Sequence, residues 1–132
     1  SRVLDLARGR LGDLAKWRAA QVQEYVGVDI SPEQIRLAAG RLSQQQRRDG
    51  TAMRARLAVA DLGACSLASS PILHPGEKFD AISIQFALHY VFRTEHTAVR
   101  FFQNIRDRLT PNGVFIGTMP DPDVLVRMIR DQ

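Results

Sequence analysis

Val3-Leu4-Asp5-Leu6-Ala7-Arg8-Gly9-Arg10-Leu11-Gly12 sets a short apolar run directly before a glycine-bearing turn, and Asp13-Leu14-Ala15-Lys16-Trp17 behind it can start a helix. A second apolar run, Tyr25-Val26-Gly27-Val28-Asp29-Ile30, follows. Ser31-Pro32-Glu33-Gln34 then supplies an N-cap Ser, a Pro at the first helical position and a Gln at the third, which together predict a helix start. Ile35, Ala38, Ala39 and Leu42 recur at helical spacing, and the helix is expected to dissolve in the polar run from Gln44 to Gly50.

Working outward, Arg56 to Ala60 reads as a third strand ending at Asp61, and the stretch from Ser66 to Lys78 reads as loop. Phe79 to Ile84 is a fourth strand. Ala98, Phe101, Phe102, Ile105 and Leu109 mark one apolar helix face, capped near Thr94 and stopped by Pro111-Asn112-Gly113, after which Val114 to Gly117 makes a fifth strand. Asp123 to Arg130 is expected to be helical. Strand and helix alternate without internal repeats, which predicts one α/β domain over residues 1–132: a Rossmann-like parallel sheet with helices on both faces.

The composition agrees with one ordinary domain. The chain has 132 residues, 45% hydrophobic and 24% charged, which excludes disordered, collagen-like and disulfide-dense classes. Lys16 and Lys78 are the only lysines among 18 basic residues, so sixteen are arginines, against 14 acidic residues and a net charge of +4. Guanidinium forks match phosphates and carboxylates, so an anionic partner such as a nucleotide or RNA is one reading, and a solvated arginine-rich surface is the other. Cys65 is the single cysteine, which rules out an internal disulfide and a cysteine-rich metal site, and no metal is expected. No apolar run approaches the roughly 20 residues of a membrane span, and the start carries no signal-peptide layout, so a soluble chain is expected. Opening on a core strand without Met suggests a piece of a longer chain.

In sheets of this kind ligands sit beyond the carboxyl ends of the strands, which singles out residues 7 to 12, Asp29, Asp61, Gln85 to Tyr90 and Thr118 to Asp121. Ala7, Gly9 and Gly12 have the spacing of a nucleotide-binding turn, and Asp29 lies 24 residues beyond Asp5, where a ribose-binding carboxylate is expected. Asp29 also suits a helix N-terminus, and Asp61 suits either an adenine amino group or a solvated turn. Gln85-Phe86-Ala87-Leu88-His89-Tyr90 gathers an amide, two aromatic rings and an imidazole behind one strand. Core packing is the plain alternative for Phe86 and Tyr90, and a structural role for His89.

The strings Val3 to Ala7, Gly12-Asp13-Leu14-Ala15-Lys16-Trp17, Phe79-Asp80 through Gln85-Phe86-Ala87-Leu88-His89-Tyr90, and Pro111 through Asp121 closely resemble eukaryotic mRNA cap guanine-N7 methyltransferases, in order along nearly the whole chain. The resemblance implies the S-adenosylmethionine-dependent methyltransferase version of the Rossmann-like core, with this chain covering the central part of a larger catalytic domain. It implies methyl transfer from S-adenosylmethionine to N7 of the guanine at the 5′ end of capped RNA, a nuclear location, and contact with other proteins of the capping machinery rather than with a membrane.

By the same resemblance, Ala7 and Gly9 border the methionine end of the cofactor, Asp29 binds its ribose, Asp61 approaches its adenine, and Gln85 and Tyr90 flank it. Arg10, Lys16 and Arg41 face the cap phosphates, while Phe86, His89, Tyr90 and Pro120 border the guanine, and His89 and Tyr90 are the expected catalytic residues, His89 for orientation and recognition rather than proton transfer. The family's loop carries Cys and Gly where this chain has Arg8 and Leu11. A cation in a small-thiol site and a side chain on a glycine position should both weaken cofactor binding. Two other readings stay open: a non-catalytic remnant of the fold that binds RNA or a protein partner, and a nicotinamide-dependent oxidoreductase. The latter rests on the glycine spacing alone and leaves Gln85 to Tyr90 unexplained.

Overall fold

The computed structural model describes residues 1–7, 17, 20–49, 53–60, 72–85, 95–120 and 123–129. Among them the order is β1 (Arg2–Ala7), β2 (Glu24–Asp29), α1 (Pro32–Asp49), β3 (Arg54–Val59), β4 (Phe79–Gln85), α2 (Glu95–Arg108), β5 (Leu109–Pro120) and β6 (Asp123–Ile129). One sheet contains all six strands in the order β3-β2-β1-β4-β5-β6. The first five run parallel, and β6 returns antiparallel along β5. This is the expected Rossmann-like α/β arrangement, and the strand order reverses beside β1, which pairs with both β2 and β4.

Strand alternation divides the core in two. Leu4, Leu6, Val26, Val28, Ile82 and Ile84 share one face with Phe115, and α2 covers them with Ile105 and Phe102. The rings of Phe102 and Phe115 meet edge to face at 6.3 Å and 82°, a favoured geometry for an aromatic pair. Val3 and Tyr25 lie on the other face, under Ile35, Ala38 and Leu42 of α1, with Val22, Met53 and Trp17 completing that cluster. Burial on both faces is why β1 and β2 read as continuous apolar runs rather than as alternating ones.

Gly27 permits an unusual crossing on this second face. Tyr25 leans along β2 to donate its hydroxyl to Asp5 Oδ2 at 2.7 Å, and a Cβ at Gly27 would stand 2.6 Å from Tyr25 Cε1. The two polar groups are thus buried together, Asp5 at 6% exposure and Tyr25 at 1%.

Four sequence expectations are corrected. The 123–129 segment is a strand, not a helix: Val124, Val126 and Ile129 are β-branched, and the edge of β5 offers backbone partners that an isolated short helix lacks. Helix α1 runs on through Gln44 to Asp49, since glutamine and arginine are good helix formers even without an apolar face. Strand β3 begins at Arg54, two residues early, because Arg54 pairs with Glu24 in register. Pro111-Asn112-Gly113 does not separate helix from strand: β5 already starts at Leu109, and the three residues form a bulge between the Phe79↔Leu109 and Ala81↔Val114 pairs. Asn112 takes φ 63° there, and a Cβ on Gly113 would lie 2.8 Å from the Thr110 carbonyl oxygen.

Candidate functional site

The carboxyl ends of the strands form one row. Ala7 of β1 lies in register with Asp29 of β2, and Asp29 with Val59 of β3. On the other side Leu6 pairs with Ile84, and the next residue of β4, Gln85, pairs with Thr118 of β5. The sheet therefore brings Ala7, Asp29 and Gln85 to a single edge at the point where strand order reverses, as their spacing predicted. Pro120 closes that edge of β5 opposite Asp123 of β6. Arg41 stands apart from this row: it is exposed on α1, nine residues beyond Pro32, or roughly 14 Å along a helix rising 1.5 Å per residue. Gly9, Arg10, Lys16, Asp61, Phe86, His89 and Tyr90 lie outside the described residues, as do Arg8 and Leu11.

Asp29 is fully buried at the junction of β2 and α1. Its Oδ1 accepts the Ser31 amide at 2.8 Å, its carbonyl accepts the Ala60 amide at 3.0 Å, and Ser31 Oγ caps α1 by accepting the Gln34 amide at 3.3 Å. The carboxylate thus sits at the entry to α1, held by the amide of the residue that caps the helix. Ile30 and Val59, missed in the sequence, flank it as apolar residues 45% and 49% exposed. Their signal was available in the apolar residue directly after Asp29 and in the apolar end of β3.

A second polar assembly occupies the opposite, amino edge, and nothing in the motif reading pointed to it. Glu77, only 6% exposed, receives Arg2 and Arg56 on Oε2 and the His74 amide on Oε1 at 3.1 Å. Arg2 also holds Glu24 at 2.7 Å and the Lys78 carbonyl at 3.0 Å, and Arg54 reaches Glu24 at 2.8 Å. Arg108 at the end of α2 donates to the carbonyls of His74 and Glu77 at 2.9 and 3.1 Å. Burial alone would push the Glu77 carboxyl up, but the Arg56 and His74 hydrogen bonds and the Arg56 and Arg2 charges hold it below the ordinary carboxylate range. The hydrogen bond and charge of Arg2, helped by Arg54 and Arg56, do the same for Glu24. Among the described residues there is no cluster that could hold a metal ion, and no helix long and apolar enough to cross a membrane.

Comparison with known proteins adds a decisive observation: the family model described as the mRNA (guanine-N(7))-methyltransferase domain matches residues 1–132. The chain belongs to this family. The mRNA cap guanine-N(7) methyltransferase 1 of Oryza sativa subsp. japonica is 44% identical over 132 residues, covering 98% of this chain and 35% of the relative. That of Arabidopsis thaliana is 41% identical over 133 residues, with the same coverage of 98% and 35%. The Schizosaccharomyces pombe enzyme is 33% identical over 129 residues, covering 97% of this chain and 34% of its own length. The chain spans about a third of the length of these curated relatives.

Solved structures agree on the fold. An rRNA methylase from Streptococcus thermophilus superposes with a TM-score of 0.57 at 20% identity, covering 92% of this chain and 63% of that one. A S-adenosylmethionine-dependent methyltransferase from Clostridium acetobutylicum gives 0.52 at 21% identity, covering 89% and 42%. This member of the cap methyltransferase family therefore has the methyltransferase version of the Rossmann-like sheet.

Proposed function

We propose that this chain serves as part of an enzyme that transfers a methyl group from S-adenosylmethionine to N7 of the guanine capping the 5′ end of mRNA. The observation that carries the reading is the family match across residues 1–132, and the strand-end row of Ala7, Asp29 and Gln85 supports it. The residues present fit the cofactor: Ile30 and Val59 are exposed apolar residues that offer surface for a purine in this reading, and Asp29 precedes Ile30 and pairs in register with Val59. In this reading Asp29 supplies the strand-end carboxylate that accepts the ribose hydroxyls. Ala7 and Gly9 border the methionine end in this reading, Asp61 approaches the adenine, and Gln85 and Tyr90 flank the cofactor. Arg10, Lys16 and Arg41 take the cap phosphates, and Phe86, His89 and Pro120 the guanine.

S-adenosylmethionine, when bound, supplies an electrophilic methyl group on a sulfonium sulfur. Guanine N7 offers a lone pair and carries no proton, so the chain needs no general base. Its work is orientation, and correct alignment of two reactants is worth about 7 to 11 kcal/mol of barrier. His89 and Tyr90 are assigned to that alignment, so replacing His89 should lower the rate without introducing a new pH dependence. The location in this reading is nuclear, with other capping proteins as neighbours.

Calorimetric titration of S-adenosylmethionine into the chain, beside an Arg8→Cys, Leu11→Gly variant, tests the proposal. Micromolar binding by the unmodified chain, with a cap analogue bound more tightly as its triphosphate than as guanosine and more weakly at high salt, is the expected result. Binding only after the loop is restored would instead identify a non-catalytic relative that keeps the fold.

A further inference from the structure

The amino edge of the sheet, across from the strand ends discussed above, holds a cavity of about 340 Å³ between Arg2, Glu24, Arg54, Arg56, His74 and Glu77. Its position is independent of the methyl-transfer reading, since β1 alone separates the two edges by roughly 17 Å at about 3.3 Å per residue. Three guanidinium groups face two carboxylates, and the carboxylates are already committed. Glu77 has a side chain 2% exposed and accepts from Arg2, Arg56 and the His74 amide. Glu24 accepts from Arg2 on one oxygen and Arg54 on the other.

The donors are differently placed. Arg2 spends Nε, Nη1 and Nη2 on Glu24, the Lys78 carbonyl and Glu77. Arg56 contacts the Ile72 carbonyl at 3.2 Å and Glu77, and Arg54, its side chain 80% exposed, contacts Glu24 through Nη2. A guanidinium carries five N–H donors, so among the described residues Arg54 and Arg56 present more donors than the cavity's acceptors can occupy. The two arginines stand two positions apart on β3 and share a face of that strand, with His74 exposed across from them. A tetrahedral oxyanion with several acceptor oxygens matches this excess, and a cation does not.

We propose that this cavity is a second, phosphate-binding site, in which Arg54, Arg56 and His74 hold a phosphate group delivered either as a free anion or within a polynucleotide backbone. Arg2 and Glu77 form its floor and keep Arg56 aimed into it. The ligand is recognised by charge-assisted hydrogen bonds from planar forks, which favours phosphate over halide at equal ionic strength.

The test is a titration of the full chain with inorganic phosphate, ionic strength held constant with sodium chloride, followed by calorimetry and by melting temperature. Saturable binding is expected, weakened about ten-fold by Arg54→Ala, the size of change that follows when one charged hydrogen-bonding partner is lost. Arg54 is exposed, so the variant's melting temperature without phosphate should stay near that of the parent, and His74→Ala provides an independent second variant. A response that sodium chloride reproduces, or unchanged binding in both variants, overturns the proposal. A short uncapped RNA that displaces phosphate in an Arg54-dependent way assigns the site to backbone phosphates, whereas phosphate binding without such competition assigns it to a small free anion.

Discussion

Glu77 ties together segments far apart in the chain. Its carboxylate joins the start of β1 through Arg2, β3 through Arg56 and its own turn through the His74 amide. Glu77→Gln keeps the shape and removes the charge, leaving Arg2 with Glu24 and the Lys78 carbonyl and Arg56 with the Ile72 carbonyl, both without the Glu77 charge. Arg2 and Arg56 are each a little over one-third exposed and regain water, so the cost should be about 1 to 3 kcal/mol rather than the larger loss typical of sealed pairs, measurable by urea denaturation at neutral pH. The sign of the pH effect follows from the lowered carboxyls of Glu77 and Glu24. A carboxyl depressed in the folded state adds stability that is fully present above its unfolded value near 4.5 and is lost as pH falls through the folded value. The parent should therefore lose stability below about pH 4.5 more steeply than Glu77→Gln, and parallel slopes would show that Glu77 contributes nothing to that acid limb.

At the scale of elements, capping and turn chemistry set some boundaries and tertiary pairing sets others. Ser31, Pro32 and Gln34 place the start of α1 where the sequence says, because an N-cap is a local interaction between neighbours. The bulge in β5 is a different case. Pro111-Asn112-Gly113 is a helix-stopping signal by composition, yet in the sheet it is an interruption of a ladder that begins at Leu109 beside Phe79. Gly113 is required there because a Cβ would meet two backbone oxygens, Thr110 at 2.8 Å and Phe79 at 3.2 Å, neither able to yield as a flexible side chain does. Gly113→Ala should accordingly cost about 1 to 3 kcal/mol in chemical denaturation, as overpacking against fixed atoms does. A change under a few tenths of that would mean that the bulge relaxes freely.

Across the whole molecule the sheet has two chemically distinct ends. The carboxyl end carries Ala7, Asp29, Ile30, Val59 and Gln85, and the amino end carries the Arg2, Arg54, Arg56, Glu24 and Glu77 assembly. Sites this far apart, sharing no contacts, should behave additively. In the proposed function, S-adenosylhomocysteine at about 100 times its dissociation constant would raise stability by about 2.7 kcal/mol. Asp29→Ala should abolish that increment, while Glu77→Gln should leave it intact on a lower baseline in melting experiments. Loss of the increment in both variants would reveal coupling through β1 and β2 that the separation of the two ends does not predict.

Much of the fold is legible in the sequence. The apolar runs at Val3 to Leu6 and Tyr25 to Val28, the cap at Ser31 and the 3.6-residue spacing of Ile35, Ala38 and Leu42 are local patterns, and burial on the two faces of a parallel sheet demands them. The strand-end positions of Ala7, Asp29 and Gln85 followed, because a parallel sheet must bring those ends to one edge. Three things depended on pairing between elements and not on a pattern within one. The 123–129 segment became a strand only because β5 offered it an edge, the Arg54 start of β3 was set by Glu24, and the Glu77 assembly joins residues as far apart as Arg2 and Arg108. Charge pairing depends on distance in space, and one-dimensional spacing determines it only within a helix turn or between neighbours in a strand. The sequence by itself determined the alternation of elements and the edge where they converge. Only the tertiary structure decided which carboxylates meet which arginines, since the partners sit on different strands and loops and meet only where the sheet aligns them.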